Sequence, residues 1–154
     1  MKDRRDAICA ISQVYISSSA EETCQIGKEL GSRLAINSVV TLEGDLGAGK
    51  TTLIRGFVEG TQEKKTRAVS SPTFSLLNIY EGIPEIYHFD LYRLPRFEEF
   101  LAAGFDEYFC AGGICCVEWP EKIKPLLPEN ALKISILYLG EEKRKITVHA
   151  KNSL

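Results

Sequence analysis

An excess of basic residues is missing from this sequence: 19 Lys and Arg stand against 21 Asp and Glu, a formal net charge of -2. A free-standing DNA or RNA binder needs a cationic surplus to displace counterions from phosphate backbones, so that class is disfavoured. No apolar run approaches the roughly 18 residues that span a bilayer. Met1 to Asp6 is charged, with no apolar stretch leading to a small-residue cleavage site. The expectation is a soluble cytoplasmic protein with no membrane partner. The cysteines are few and unpatterned. Cys9, Cys24, Cys110, Cys115 and Cys116 form no CxxC pair and no zinc-type spacing with histidine, which argues against a disulfide framework and a structural metal. Cys115 and Cys116 lie inside the apolar run Ile114 to Val117, where free cysteine behaves as a small hydrophobe. Repeats, low-complexity tracts and long Pro/Gly/Ser linkers are also lacking. With 154 residues and 44% hydrophobic content, one domain around one core is expected.

What is present reads as alternating helix and strand. Hydroxyls at Ser17 to Ser19, followed by Ile26, Leu30 and Leu34 at four-residue spacing, predict a capped helix over about 20–35. The β-branched run Val39 to Leu42 stops at Gly44, and helical spacing resumes at Lys50, giving strand, glycine loop and helix. Polar Thr61 to Arg67 reads as a surface loop. Phe74 to Tyr80 and Ile86 to Tyr92 read as extended runs joined by the turn Glu81 to Glu85. Residues 97–109 look helical. Ile114 to Trp119 reads as a buried strand stopped by Pro120, and Leu132 to Tyr138 and Ile146 to His149 as strands around the turn Gly140 to Lys143. A glycine-loop unit needs a crossover to a parallel neighbour whereas hairpins are antiparallel, so the expected fold is α/β, a P-loop NTPase-like mixed β-sheet flanked by helices.

The sharpest signal is Gly44-Asp45-Leu46-Gly47-Ala48-Gly49-Lys50-Thr51, which satisfies G-x-x-x-x-G-K-[ST] between an apolar strand and a helix. At average composition this string arises by accident in roughly one 150-residue chain in a few hundred. The glycines let backbone N–H groups turn around phosphates, and the helix that follows aims its positive end at the same anion. Lys50 supplies a charge for the β- and γ-phosphates. The Thr51 hydroxyl is placed to ligate Mg²⁺, a hard cation that keeps several waters. The expected ligands are therefore a nucleoside triphosphate and Mg²⁺, held by Leu46, Gly47, Ala48, Gly49, Lys50, Thr51 and Thr52.

Such sites need a carboxylate at the end of a neighbouring strand. Asp90 follows Ile86 to Phe89, and Glu118 follows Ile114 to Val117; each is either catalytic or simply a solvated strand end. Ser70-Ser71-Pro72-Thr73 is either a polar turn or a phosphate-sensing loop. Trp119, the only tryptophan, is either packed in the core or near the base, and His88 reads as structural.

GDLGAGKTT at 44–52, SPTF at 71–74, HFDLYRL at 88–94 and VEWPEK at 117–122 together resemble the TsaE (YjeE) family, in that family's order and over the first four-fifths of the chain. The resemblance implies an ATPase required for threonylcarbamoyladenosine formation on tRNA, weak alone and working with TsaD and TsaB, which reach the tRNA. It further implies that Lys50 and Thr51 bind phosphate and Mg²⁺, that Thr73 lies in a switch-like loop, and that Asp90 serves hydrolysis. Glu118 would join Thr51 at the metal, with Trp119 close to the nucleotide. The family usually fills the strand at Cys115 and Cys116 with other apolar residues, and the strands after Leu132 carry no motif that matches.

In the expected mechanism Thr51 and Glu118 hold Mg²⁺, Lys50 and loop amides neutralise charge, and Asp90 orients the attacking water; Asp90 and Glu118 are also compatible with exchanged roles. Arg93, three residues after Asp90, is the one arginine considered for the transition state. A GTPase is disfavoured because neither N-K-x-D nor D-x-x-G occurs. A small-molecule kinase, with Lys64 to Arg67 as a weak lid candidate, and an ATP-dependent binding module stay open.

Overall fold

The computed structural model describes residues 12–61, 69, 70, 72 and 74–149. The elements, in order, are β1 (Gln13–Ser17), α1 (Ala20–Gly31), β2 (Val39–Glu43), α2 (Lys50–Thr61), β3 (Leu77–Tyr80), β4 (Ile86–Asp90), α3 (Phe97–Ala102), β5 (Ile114–Glu118), β6 (Leu132–Gly140) and β7 (Lys143–Val148). Two 3₁₀ segments, Phe105–Cys110 and Pro120–Leu126, flank β5. All seven strands form one mixed sheet in the order β1-β7-β6-β2-β5-β4-β3. β6, β2, β5 and β4 run parallel to one another, and β7, β1 and β3 pair antiparallel at the two edges. The expected mixed α/β architecture is therefore present.

The centre of the sheet is covered on both faces, which is why β2, β4 and β5 read as continuous apolar runs rather than alternating ones. On one face Leu42, Ile134 and Ile146 pack with Leu30 of α1 and Leu53 and Phe57 of α2. On the other, Phe89 and Val117 pack with Phe100 of α3 and with Phe109 and Ile123 of the 3₁₀ segments. Cys115 and Cys116 point to opposite faces and are buried free thiols, as small hydrophobes should be. Burial pushes the Cys115 thiol up to about 12 and that of Cys116 well above its ordinary value.

α1 starts where the hydroxyls predict. Ser19 Oγ accepts from Glu22 N at 3.1 Å, and Ser18 N donates to Glu22 Oε2 at 2.7 Å, so two otherwise orphan amides are satisfied. α1 and α2 cross almost in backbone contact. A Cβ on Gly27 would lie 2.3 Å from Leu53 O, and one on Gly56 would lie 2.2 Å from Cys24 O.

Several expected elements are shorter, and each has a local cause. α1 ends at Gly31 rather than near 35, because Ser32 and Arg33 turn back to Lys28 O and Leu30 O. Phe74 to Leu76 forms a turn instead of extending β3: Leu76 adopts φ 66 and its N donates to Pro72 O at 2.7 Å. β4 stops at Asp90 because the Asp90 carboxylate accepts from Tyr92 N at 3.1 Å, folding the chain into an Asx-type turn. Gly104, at φ 73, divides the expected 97–109 helix into α3 and the following 3₁₀ segment. Trp119 leaves β5 at φ 59, and Pro120 begins the next 3₁₀ segment. The edge strand β1 was not expected. Lys64 to Arg67 and Thr73 lie outside the described residues.

Candidate functional site

The loop from Gly44 to Gly49 leaves the end of β2 and enters α2 at Lys50, at the carboxyl ends of the central parallel strands, where open α/β sheets bind ligands. Gly47 (φ 77) and Gly49 (φ 109) hold conformations that side chains resist, and these turn the loop around its own amides. α2 has no acidic residue in its first turn, whereas α1 begins with Glu21 and Glu22. The positive end of α2 is thus left for an external anion.

A cleft of about 440 Å³ opens over this loop, lined by Leu46 to Thr52 together with Asp90, Tyr92, Arg93, Glu118, Trp119 and Arg144. Among the sequence-predicted site residues, Leu46 to Thr52, Asp90, Arg93, Glu118 and Trp119 border it, whereas Ser70 and Pro72 do not. Ser71 and Thr73 fall outside the described residues.

Lys50 is only 5% exposed. Its Nζ donates to Gly44 O and, at 3.3 Å, to Asp45 O, and it sits 4.1 Å from the centroid of the Trp119 ring. Burial draws the Lys50 pKa down, while Glu118, Asp90, Glu121 and Asp45 oppose that shift by favouring the cation. Trp119 therefore borders the cleft at its lysine end; its ring also meets Tyr92 at a centroid distance of 5.1 Å.

Asp90 and Glu118 occupy paired positions on parallel β4 and β5, with Leu42 of β2 as the next neighbour in the row. Both are buried, 4% and 3% exposed, although they are acids at strand ends, so the solvated-edge reading does not apply. A buried carboxylate requires hydrogen bonds or a cation. Asp90 accepts from Tyr92 N, and Glu118 Oε2 lies 2.6 Å from His88 Nε2.

Three residues at this site were not assigned to it from sequence. His88, read as structural, touches Glu118 directly. Tyr92 lines the cleft. Arg144 reaches in from β7: its Nε donates to Ala48 O at 2.8 Å and a terminal nitrogen to Gly47 O at 3.5 Å, with the guanidinium 4.4 Å over Tyr138. Lys143, Arg144 and Lys145 are consecutive cations beside a turn, so nothing in their spacing marks the middle one. Arg93 also borders the cleft, with its guanidinium 4.7 Å over Phe74.

Residues 17–146 match the family model described as threonylcarbamoyl adenosine biosynthesis protein TsaE. The chain belongs to the TsaE family. The tRNA threonylcarbamoyladenosine biosynthesis protein TsaE of Bacillus subtilis is 45% identical over 131 residues, covering 84% of this chain and 80% of that one. The protein of the same name from Treponema pallidum is 39% identical over 133 residues, covering 86% and 97%. Among solved structures, the crystal structure of Bacillus subtilis YdiB superposes with a TM-score of 0.72 at 37% identity, covering 92% of this chain and 86% of that one. The TsaE match spans the loop, both carboxylates, His88, Trp119 and Arg144. β1 and β7 each extend beyond it at one end.

Proposed function

We propose that this chain is a Mg²⁺-dependent ATPase that serves threonylcarbamoyladenosine formation on tRNA, acting in the cytoplasm within a complex with TsaD and TsaB. The observation that carries the enzymatic half is the shared cleft: a glycine loop with a buried lysine opens onto two buried carboxylates, Asp90 and Glu118, paired across adjacent strands. The biological half rests on membership of the TsaE family.

The donor set suits Mg²⁺. Thr51 offers a hydroxyl and Glu118 a carboxylate, both hard oxygen ligands, and the remaining positions suit water and phosphate oxygens. Among the described residues no cluster of three or more His, Cys, Asp or Glu forms a closed metal cage, a different kind of site. Mg²⁺ held by Thr51 and Glu118 would supply charge neutralisation for the triphosphate.

The chain's own groups do the rest. Amides of residues 46–52 and the start of α2 receive the phosphates. Lys50 exchanges its carbonyl contacts for phosphate oxygens and balances the charge that develops on the leaving group. Asp90 orients the water that attacks the γ-phosphorus, giving ADP and inorganic phosphate. Hydrolysis resets the partner complex, while TsaD and TsaB carry the tRNA and the modification chemistry. That division of labour fits a chain with a net charge of -2, which has no cationic surplus for gripping tRNA alone.

The test is the number of tRNA molecules modified per TsaD–TsaB complex, with ATP and either this chain or its Lys50→Ala variant. Many rounds with the unaltered chain and at most one with the variant are expected. Many rounds with Lys50→Ala would refute an ATP-driven reset.

A further inference from the structure

Among the described residues, one buried polar side-chain atom is left without a hydrogen-bond partner: Nδ1 of His88. The other ring nitrogen, Nε2, lies 2.6 Å from Glu118 Oε2, with His88 fully buried and the Glu118 side chain 4% exposed. His88 pairs with Cys116 across β4 and β5, so Glu118, two residues further along β5, is its diagonal neighbour on the same face. Both side chains emerge from rigid central strands.

The hydrogen bond has a definite sense. A carboxylate only accepts, so Nε2 carries the hydrogen and donates it to Glu118. Placing the hydrogen on Nδ1 instead would bury an unpaired donor and set two lone pairs against each other at 2.6 Å. The ring has little freedom to swing away. Tyr80 lies across it, ring centroids 6.2 Å apart and 28° from parallel, and the Tyr80 hydroxyl donates to Ser70 O at 3.3 Å. Glu118 also lines the cleft over the glycine loop, so His88 engages one oxygen of a carboxylate that belongs to the cleft wall.

We infer that His88 is the positioning residue for the metal carboxylate: by donating Nε2–H to Glu118 Oε2 it holds in place the side chain that, with Thr51, would bind Mg²⁺. This rests on the reading of Glu118 as a metal ligand given above. Groups that orient a metal ligand from behind typically contribute about 10–100-fold to metal affinity. A histidine that merely fills space between strands would contribute nothing to metal affinity beyond its effect on folding.

The experiment is a Mg²⁺ titration of the affinity for a fluorescent, non-hydrolysed ATP analogue. Affinity in EDTA reports whether the loop is intact, and thermal unfolding reports the fold. His88→Leu keeps the volume and removes the donor; His88→Gln puts an amide donor near the place of Nε2. The expected result is a Mg²⁺ midpoint raised about 10–100-fold in His88→Leu and restored to within about threefold in His88→Gln. If His88→Leu fails to fold, His88→Asn, whose amide falls short of Glu118, takes its place. An unchanged midpoint without the donor, or a raised one that glutamine does not restore, would overturn the inference. Glu118→Gln is the separate control: a normal midpoint there would overturn the metal-ligand reading itself, whatever His88 does.

Discussion

Asp90 and Glu118 are the last residues of two parallel strands and stand in register, so the sheet delivers two buried acids side by side to the mouth of the glycine loop. Their surroundings differ. Asp90 is engaged by the amide of Tyr92 in its own turn, and Glu118 by the ring of His88 on the neighbouring strand. The roles proposed for them, Glu118 at the metal and Asp90 at the attacking water, are separable by substitution.

Glu118→Gln is expected to raise the Mg²⁺ requirement for nucleotide binding as well as to remove turnover. Asp90→Asn is expected to leave Mg²⁺-dependent binding near normal and to lower partner-stimulated turnover by about 100-fold or more, the usual size of a lost catalytic interaction. Binding titrations beside turnover measurements separate the two. Unchanged turnover in Asp90→Asn would make that residue structural.

Lys50→Ala is expected to weaken ATP binding by about 10–100-fold, as the loss of charge-assisted hydrogen bonds worth ~1.5–3 kcal/mol implies. It has an optical signature as well. The lysine sits against Trp119, the only tryptophan, so the emission of the nucleotide-free variant should differ from that of the unaltered chain. Identical emission spectra would contradict the contact.

Arg144 ties β7 to the glycine loop through Ala48 O and Gly47 O. Arg144→Met is expected to weaken nucleotide binding by about 10-fold, since the bond from a charged donor to the loop is lost. Arg144→Lys should restore little, because an ammonium does not reproduce the guanidinium fork. Equal affinity in all three proteins, measured by calorimetry, would show the contact to be dispensable.

Gly27→Ala and Gly56→Ala should each destabilise the fold by about 1–3 kcal/mol or more, because the new methyl meets a backbone carbonyl that cannot yield without separating α1 from α2. Urea unfolding measures this. Undiminished stability in either would contradict the close helix crossing.

Stability should also fall at alkaline pH. Burial pushes the Cys115 thiol from 9.0 to about 12, and burial together with the Glu85 carboxylate pushes the Tyr87 phenol from 10.0 to about 12. Both groups are neutral in the folded chain and ionise earlier when unfolded, so their contribution is complete below pH 9 and is lost as pH rises toward about 12. Denaturation midpoints across that window, compared with those of Cys115→Ala, measure the thiol's share. A variant that loses stability just as steeply would show that Cys115 plays no part.

Much of the site was legible because its signals are local. A glycine loop dictates its own backbone, a hydroxyl cap announces α1, and Asp90 and Glu118 stand out as acids closing the apolar runs Ile86 to Phe89 and Ile114 to Val117. The short edge strand β1 is masked in the sequence because its last residue, Ser17, opens the hydroxyl run that signals the start of α1. The break at Gly104 lies inside an otherwise helical pattern, which a single glycine does not reliably end. Arg144 and His88 were unreadable as site residues for a different reason. Their partners, Ala48 and Glu118, lie 96 and 30 residues away in sequence, and only the sheet order brings them together.

The most direct test is steady-state ATP hydrolysis by this chain, alone and with TsaD and TsaB added, with Lys50→Ala as the blank. Weak turnover alone, strong stimulation by the partners and neither in the variant are predicted. Absence of turnover in the full complex, or the same turnover with Lys50→Ala, would contradict an ATPase built on this loop.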